Sequence, residues 1–259
     1  MQNTLIILGS GYTARFLLPL AARHYATVLA TSRDPDKNLS HLSRDQRLRF
    51  DLAQPDTWTA LPDNADILWS FPAAPLNLVQ QYSERLRTSS CRLVILGSTS
   101  AYETGGSQGY PPPWIDETAP TDGTKPRVQG EDYLRTTLGA IVLRVAGIYG
   151  PGRNPLNWIR TGRVSSSRKY VNLIHVEDLA SICLLALERG TLGEIYNVSD
   201  GTPHTWREIC DYAQCQRGIA PPLSVVDREP GKRISIKKLT QNLGYQIHHH
   251  DLYEELSLL

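Results

Sequence analysis

The chain has 259 residues, with 27 Lys and Arg against 26 Asp and Glu, so its net charge is only +1. This balance offers no basic excess for binding a nucleic-acid backbone, and no stretch approaches the roughly 20 apolar residues of a membrane span. We therefore expect neither a nucleic-acid nor a membrane partner. The first residues lack the features of a secretory signal peptide, and the four cysteines form no Cys-x-x-Cys pair. A reducing, cytoplasmic location is expected.

The first half of the chain alternates short apolar runs with amphipathic stretches, which is typical of βαβ units that build a parallel sheet. Strands are predicted over residues 4–8, 27–31, 47–50, 67–71, 92–96 and 141–145. Apolar residues at helical spacing predict helices over residues 14–22, 76–86 and 129–138. The segment 102–125, rich in Gly and Pro, is predicted to be a long loop of the kind that covers a site.

After residue 150 the pattern becomes less regular. It predicts a helix over 176–187, a strand over 195–198, a helix over 206–213 and a terminal segment near 239–243. The strand, the second of these helices and the terminal segment are expected to cap the edge of the sheet.

A glycine-rich turn follows the first predicted strand and opens the first predicted helix. Its residues are Gly9, Ser10, Gly11, Tyr12, Thr13 and Ala14. Gly9 permits a tight turn, Gly11 lets backbone N–H groups approach a pyrophosphate, and Ala14 allows close packing of helix on strand. The helix N-terminus adds a partial positive charge. The turn therefore predicts a dinucleotide site, with a purely structural turn as the alternative.

The end of the second predicted strand bears on the choice of cofactor. An NAD-selective site usually places an acid there for the ribose 2′-hydroxyl, but Thr31 and Ser32 are not acidic. Arg33 can instead contact a 2′-phosphate, which favours NADP; the alternative is a solvated arginine paired with Asp34 or Asp36. Further cofactor contacts are predicted at Asp51, Leu52, Pro72 and Ala73.

These features predict the fold class and its division. The fold is expected to be α/β, a Rossmann-type doubly wound parallel sheet with a small C-terminal substrate lobe. Residues 1–150 are interpreted as the NAD(P)-binding Rossmann core. Residues 151–259 are interpreted as mixed, in part completing that core and in part forming the substrate lobe.

Four stretches beyond the glycine turn carry a resemblance to a known family: residues 96–102, 116–120, 143–153 and 174–180. Together they resemble the extended short-chain dehydrogenase/reductase superfamily, the NAD-dependent epimerases/dehydratases, and in particular its atypical bacterial members. The resemblance implies a Tyr as acid/base, a Lys four residues later that holds the ribose, and a Ser or Thr at the reacting oxygen. Ser98 matches the last of these. Counting back from Glu131 places Arg127 at the Lys position and Gly123 at the Tyr position, and Gly147 is included among the cofactor contacts.

Because the Tyr-x-x-x-Lys pair is absent, an enzyme with this sequence would need another group as its acid or base. Tyr102 and His175 are predicted for that role, since a phenol and an imidazole can both exchange a proton. Their alternatives are a half-buried loop aromatic and a structural hydrogen bond. Arg153 and Asn154 are predicted substrate contacts, with surface solvation as the alternative. Further phenols are those of Tyr110, Tyr133 and Tyr149.

Three adjacent histidines, His248, His249 and His250, are candidate metal ligands. Adjacent residues on a strand or helix point in different directions, and few carboxylate or Cys ligands flank the tract. No metal site is predicted, and a solvated or interface segment is expected.

The sequence predicts an NADP-dependent oxidoreductase or epimerase/dehydratase-like enzyme that acts on a small molecule, as a monomer or homodimer. NAD is the alternative cofactor. The alternative function is a non-catalytic NADP(H)-binding sensor or regulatory protein, because the same scaffold hosts both. The absent Tyr and Lys favour the sensor, whereas Ser98 and the long loop favour the enzyme.

Overall fold

The structure, a computed structural model, describes residues 2–58, 62, 64–86, 90–103, 109–222 and 230–259. The chain forms two compact units. Unit 1 comprises residues 1–101, 121–144 and 179–196, and unit 2 comprises residues 102–120, 145–178 and 197–259. The chain thus passes between the units several times.

A seven-stranded sheet has the strand order β11-β7-β5-β4-β1-β2-β3. Its strands are β1 Gln2–Leu8, β2 Tyr25–Ser32, β3 Arg47–Arg49, β4 Ala65–Trp69, β5 Ser90–Ser98, β7 Ile141–Val145 and β11 Ile195–Val198. The pairs β1–β2, β1–β4, β2–β3 and β4–β5 are parallel. The strand order reverses between β1 and β4, and ligands of doubly wound sheets bind beyond the carboxyl ends of strands at such a reversal. The predicted α/β Rossmann fold is confirmed.

The central strands are buried on both faces. Leu5, Ile6, Ile7 and Leu8 of β1 have no exposed surface, and all five residues of β4 are buried. Parallel strands covered by helices on both sides have this continuous apolar pattern, which is why the sequence predicted them.

Five of the helices in the described ranges lie at predicted positions, though not with all of the predicted ends, and the other three were not predicted. They are α1 Tyr12–Ala21, α2 Pro35–Asn38, α3 Leu76–Leu86, α4 Pro126–Leu138, α5 Pro155–Arg160, α6 Val176–Arg189, α7 Trp206–Arg217 and α8 Leu252–Leu258. The segment near 239–243 forms a π-helical turn, Leu239–Leu243. None of the helices in the described ranges combines the length and apolar character needed to cross a membrane.

Unit 2 contains short strands that the sequence analysis did not predict. They are β6 Trp114–Ile115, β8 Gly147–Tyr149, β9 Tyr170–Val171, β10 Leu173–His175, β12 His204–Thr205 and β13 Arg233–Ile234. They pair as β8 with β10, β9 with β12, and β6 with β13. β6 falls within the segment predicted to be an uninterrupted loop, of which residues 104–108 lie outside the described residues. A core around Tyr149, Leu156 and Ile209 packs this unit.

Candidate functional site

The glycine turn lies at the carboxyl end of β1, where the strand order of the sheet reverses. The Gly9 N–H donates to Thr31 Oγ1 at 2.9 Å, and the Ser10 N–H donates to the Thr31 carbonyl at 2.9 Å. Gly9 has a φ of +84°, and a Cβ there would lie 2.7 Å from a ring carbon of Phe71. Glycine is therefore required at this position for both backbone conformation and space.

Gly11 faces open space. It is the N-cap residue of α1, and no side chain caps the first turn of that helix. No atom lies within 4 Å of a Cβ built at Gly11. The buried Ser10 Oγ has no hydrogen-bond partner within the described ranges. Uncapped N–H groups, space and an unsatisfied hydroxyl fit a pyrophosphate at the start of a helix, so the residues present fit a dinucleotide.

The other residues of the turn serve packing. Thr13 and Ala14 are 7% and 1% exposed and lie on the buried face of α1, whereas Tyr12 packs edge-on against Phe16 with ring centroids 5.4 Å apart. Ala14 thus occupies the close helix–strand contact that the pattern assigns to a small third residue.

Arg33 is exposed just beyond the end of β2. The predicted alternative paired it with Asp34 or Asp36, but both acids have other partners. Asp34 Oδ1 accepts from the Lys37 N–H at 3.1 Å and caps α2, and Asp36 lies 3.5 Å from the guanidinium of Arg47. Within the described part of the chain, Arg33 forms no ion pair, so its charge is available to a ligand.

The remaining predicted cofactor residues of unit 1 differ in accessibility. Asp51 is half-buried, and its Oδ1 accepts from the Ala53 N–H at 3.0 Å. Leu52 is only 6% exposed and belongs to the apolar core, so only its backbone is available for a contact. Pro72 is exposed, and Ala73 is 1% exposed.

Arg127, at the Lys position, is paired with a buried acid. Its Nε lies 3.5 Å from Oε1 of Glu131, one helical turn along α4. Glu131 is 1% exposed, and burial raises its pKa to about 7, against the lowering effect of the Arg127 and Arg144 guanidinium groups. A Cβ at Gly97 would lie 2.9 Å from both oxygens of this carboxyl group. The acid therefore lies directly against the backbone of β5, one residue before Ser98.

The turn after β5 brings a second cation to this region. Ser98 Oγ accepts from the Ser100 N–H at 3.1 Å, and Lys125 Nζ donates to the Ser100 carbonyl at 2.7 Å. Lys125 also lies 3.3 Å from Asp122. Sequence reasoning missed Lys125 because it stands two residues before the expected position; the signal was a lysine just upstream of α4. Gly123, at the Tyr position, is exposed and has no atom within 4 Å of a Cβ built there.

The predicted phenol and imidazole lie in unit 2. Tyr102 is 1% exposed and its hydroxyl donates to Asn197 Oδ1 at 2.6 Å, so the phenolic proton already has an acceptor. His175 is 3% exposed, and burial, followed by the proximity of His249, lowers its pKa. Its ring packs edge-on against Tyr149 at 5.2 Å, and burial raises the pKa of that phenol.

The predicted substrate and cofactor contacts of unit 2 have structural neighbours. Asn154 Oδ1 accepts from the Leu156 N–H at 2.8 Å and caps α5, so a substrate contact would have to replace that bond or use its amide. Arg153 is exposed in the turn before it. The Gly147 N–H donates to the Asn172 carbonyl at 3.0 Å within unit 2.

Two further phenols are already engaged. Tyr110 is exposed and donates to the Arg168 carbonyl at 3.2 Å. Tyr133 lies 3.3 Å from Ser83 Oγ and packs against the core of unit 1.

Comparison with known proteins assigns the fold. No protein-family model matches the chain. Protein YeeZ of Escherichia coli (strain K12) is 31% identical over 170 residues, which cover 62% of this chain and 59% of YeeZ. The chain thus matches less than two thirds of the length of this relative.

Solved structures match nearly the whole chain. A functionally unknown conserved protein from Silicibacter pomeroyi DSS has 27% identity and a TM-score of 0.73, with 99% of this chain and 97% of that chain covered. MoeE5 in complex with UDP-glucuronic acid and NAD has 17% identity and a TM-score of 0.74, with 98% and 96% covered. dTDP-glucose 4,6-dehydratase from Bacillus anthracis in complex with NAD has 15% identity and a TM-score of 0.71, with 99% and 96% covered.

The chain therefore has the fold of MoeE5 and of dTDP-glucose 4,6-dehydratase. The predicted resemblance is confirmed at this level.

Proposed function

We propose that this protein binds NADP(H) in unit 1 and acts on a small molecule as an oxidoreductase or epimerase/dehydratase-like enzyme. The observation that carries the proposal is the open, uncapped N-terminus of α1 at the reversal of the sheet, next to Gly11. The similar structures of MoeE5 and dTDP-glucose 4,6-dehydratase, which hold NAD, support a nicotinamide cofactor.

Four groups of unit 1 have a role in this proposal. The first-turn N–H groups of α1 bind the pyrophosphate, and Arg33 binds the 2′-phosphate of NADP(H). Ser98 polarises the reacting oxygen of the substrate, and Arg127 binds the ribose. The cofactor supplies hydride transfer, and the chain supplies orientation and charge.

The choice of NADP over NAD rests on the end of β2. Arg33 has no ion-pair partner among the residues that the structure describes, whereas Thr31 is buried and bonded to the glycine turn. A guanidinium group forms charge-assisted hydrogen bonds with a phosphate that NAD does not have. Solvent exposure of Arg33 screens this attraction, so we expect about a tenfold preference for NADPH over NADH.

Two variants separate the proposed contacts. Gly11→Val places a side chain where the structure has no atom within 4 Å, so the variant should fold while losing affinity for both cofactors. Arg33→Ala should weaken NADPH about tenfold and leave NADH unchanged. Arg23→Ala is the matched control, because it removes an exposed arginine just before the opposite end of β2.

Calorimetric titration of NADPH and NADH into each variant measures these affinities, with thermal melting to verify folding. Unchanged affinity in folded Gly11→Val would refute the site. Equal affinities of the wild type for both cofactors, or an equal loss in Arg23→Ala and Arg33→Ala, would refute the NADP assignment alone.

A second candidate function is a non-catalytic NADP(H) sensor. Two observations favour it: Arg127 and Gly123 stand where the resemblance implies a Lys and a Tyr, and the Tyr102 phenol already donates to Asn197. Such a protein would keep the binding contacts and show no turnover in a substrate screen.

A further inference from the structure

The histidine tract near the C-terminus is held in place by a buried acid. Asp178, at the start of α6, is 1% exposed. Its carboxylate accepts from the His248 N–H at 3.1 Å, the His249 N–H at 2.9 Å and the Tyr245 hydroxyl at 2.6 Å. The backbone of the tract is thereby fixed next to the end of β10, and all of these residues belong to unit 2.

The three histidine rings separate, as the sequence analysis expected, but one of them meets a distant histidine. The His249 ring packs against that of His175 with ring centroids 3.9 Å apart, whereas His250 Nδ1 lies 3.2 Å from the backbone carbonyl of His248. The absence of a metal site was predicted from the tract alone. The fold adds His175, which is 74 residues away in sequence.

A carboxylate completes a compact set of donors. Glu177 Oε2 lies 3.3 Å from His249 Nε2. His175, Glu177 and His249 each offer one ligand atom, and these atoms all lie within 4.8 Å of one another. Ligands at about 2.0–2.2 Å from a tetrahedral zinc ion are about 3.4 Å apart, so small side-chain movements bring the three atoms to coordinating distance.

A fourth side chain orients His249. Its Nδ1 lies 2.8 Å from Oε1 of Glu255 in α8. A histidine that binds a metal through one ring nitrogen almost always donates the other ring N–H to a carboxylate or carbonyl group. With the proton on Nδ1, the Nε2 lone pair faces Glu177, which is the tautomer that a metal requires.

We propose that His175, Glu177 and His249 bind a divalent transition metal ion of the zinc class, with Glu255 orienting His249. Two imidazole nitrogens and one carboxylate oxygen suit zinc and its neighbours, whereas calcium and magnesium take oxygen ligands. The exposed Glu177 side leaves room for a water molecule as a fourth ligand. The ion would tie the C-terminal segment to the end of β10 and the start of α6.

The competing arrangement uses the same atoms without a metal. A protonated His249 would donate from Nε2 to Glu177 and from Nδ1 to Glu255, which lie at 3.3 Å and 2.8 Å. This ion-pair arrangement predicts no metal affinity.

The test uses the full chain without an affinity tag, because a polyhistidine tag binds the same metals. After treatment with a chelator, the protein is titrated with zinc chloride by calorimetry and with Co²⁺ by visible absorption. We expect one ion per chain, a tetrahedral Co²⁺ spectrum and a higher Tm with zinc, since a ligand that binds only the folded state stabilises it.

Variants identify the ligands. His249→Ala and Glu177→Gln should each weaken zinc binding by tenfold or more, and Glu255→Gln by about 10- to 100-fold. The matched control replaces the other two histidines of the tract, His248→Ala with His250→Ala, and should bind zinc as the wild type does. Melting in the presence of chelator verifies that each variant folds.

Three results would overturn the proposal: no stoichiometric binding by the wild type, wild-type affinity in both folded His249→Ala and Glu177→Gln, or loss of binding in the control. The last would assign binding to the exposed tract. The cofactor titrations are independent of this test, because they concern residues of unit 1.

Discussion

Gly130 provides a direct test of how α4 packs in unit 1. A Cβ at this position would lie 1.9 Å from the Ala73 carbonyl oxygen and 2.8 Å from the Ala73 carbonyl carbon. Because the obstacle is backbone, α4 or the segment after β4 would have to move by roughly 1.5 Å to reach van der Waals distance. Overpacking costs about 1–3 kcal/mol, and an alanine in an open helix gains about 1 kcal/mol.

Since the clash is with backbone, the overpacking cost lies at the upper end of this range. After the helical gain is subtracted, Gly130→Ala should lower the free energy of unfolding by about 2 kcal/mol, which for a chain of this size lowers Tm by roughly 4–8 °C. Thermal melting measures this, with Gly123→Ala as the control, since no atom lies within 4 Å of a Cβ there. Displacing Ala73 should also weaken NADPH binding. A Tm equal to or above that of the wild type, as an exposed helical glycine would give, would refute the close contact.

Two further predictions concern a buried acid and the reacting oxygen. Asp200 is 5% exposed, and burial, with repulsion from Asp178, raises its pKa to about 7 from a usual value of 3.8. The contribution of protonated Asp200 to stability is therefore fully present below about pH 4 and lost as pH rises through 7. Asp200→Asn should consequently be more stable than the wild type at pH 8 by on the order of 2–4 kcal/mol, and its Tm should decline less between pH 4 and pH 8. A decline in Tm equal to that of the wild type would contradict the burial argument. Ser98→Ala should leave the affinity for NADPH within twofold of the wild type, and it should lower kcat/KM by about 10- to 100-fold for any substrate that a screen identifies. Turnover equal to that of the wild type would remove Ser98 from catalysis. The absence of turnover in both forms would favour the sensor.

The strands of the seven-stranded sheet could be predicted because a short stretch of sequence identifies each of them. The β1 strand is a continuous apolar run that a glycine turn ends, and β4 is buried along its whole length. The strands of unit 2 have two or three residues, which is too short for an alternating pattern to be visible. Their pairing depends on contacts between distant segments, as when β6 pairs with β13.

The residues of the candidate site could be predicted from the sequence where they lie close together in one segment. Gly9 and Gly11 lie in one turn, and their separate roles follow from backbone geometry. Burial was not predictable in the same way: the sequence shows Arg127 and Glu131 four residues apart, but not that the acid is 1% exposed against Gly97. Likewise, His249 lies beside His175 in a tract whose backbone N–H groups donate to Asp178, and no local sequence pattern predicts that contact between distant residues.

The ion pair of Arg127 and Glu131 bears on the role proposed for Arg127, which stands where the resemblance implies a Lys. A guanidinium group stays protonated at any physiological pH, so Arg127 can attract a ribose or phosphate group but cannot exchange a proton with a substrate. Burial raises the pKa of Glu131 to about 7, so the acid neutralises Arg127 fully only above that pH. As pH falls through 7, Glu131 takes up a proton and the pair changes from neutral to positive. The charge at this position is thus set by the protonation of the buried acid, because the guanidinium group keeps its charge.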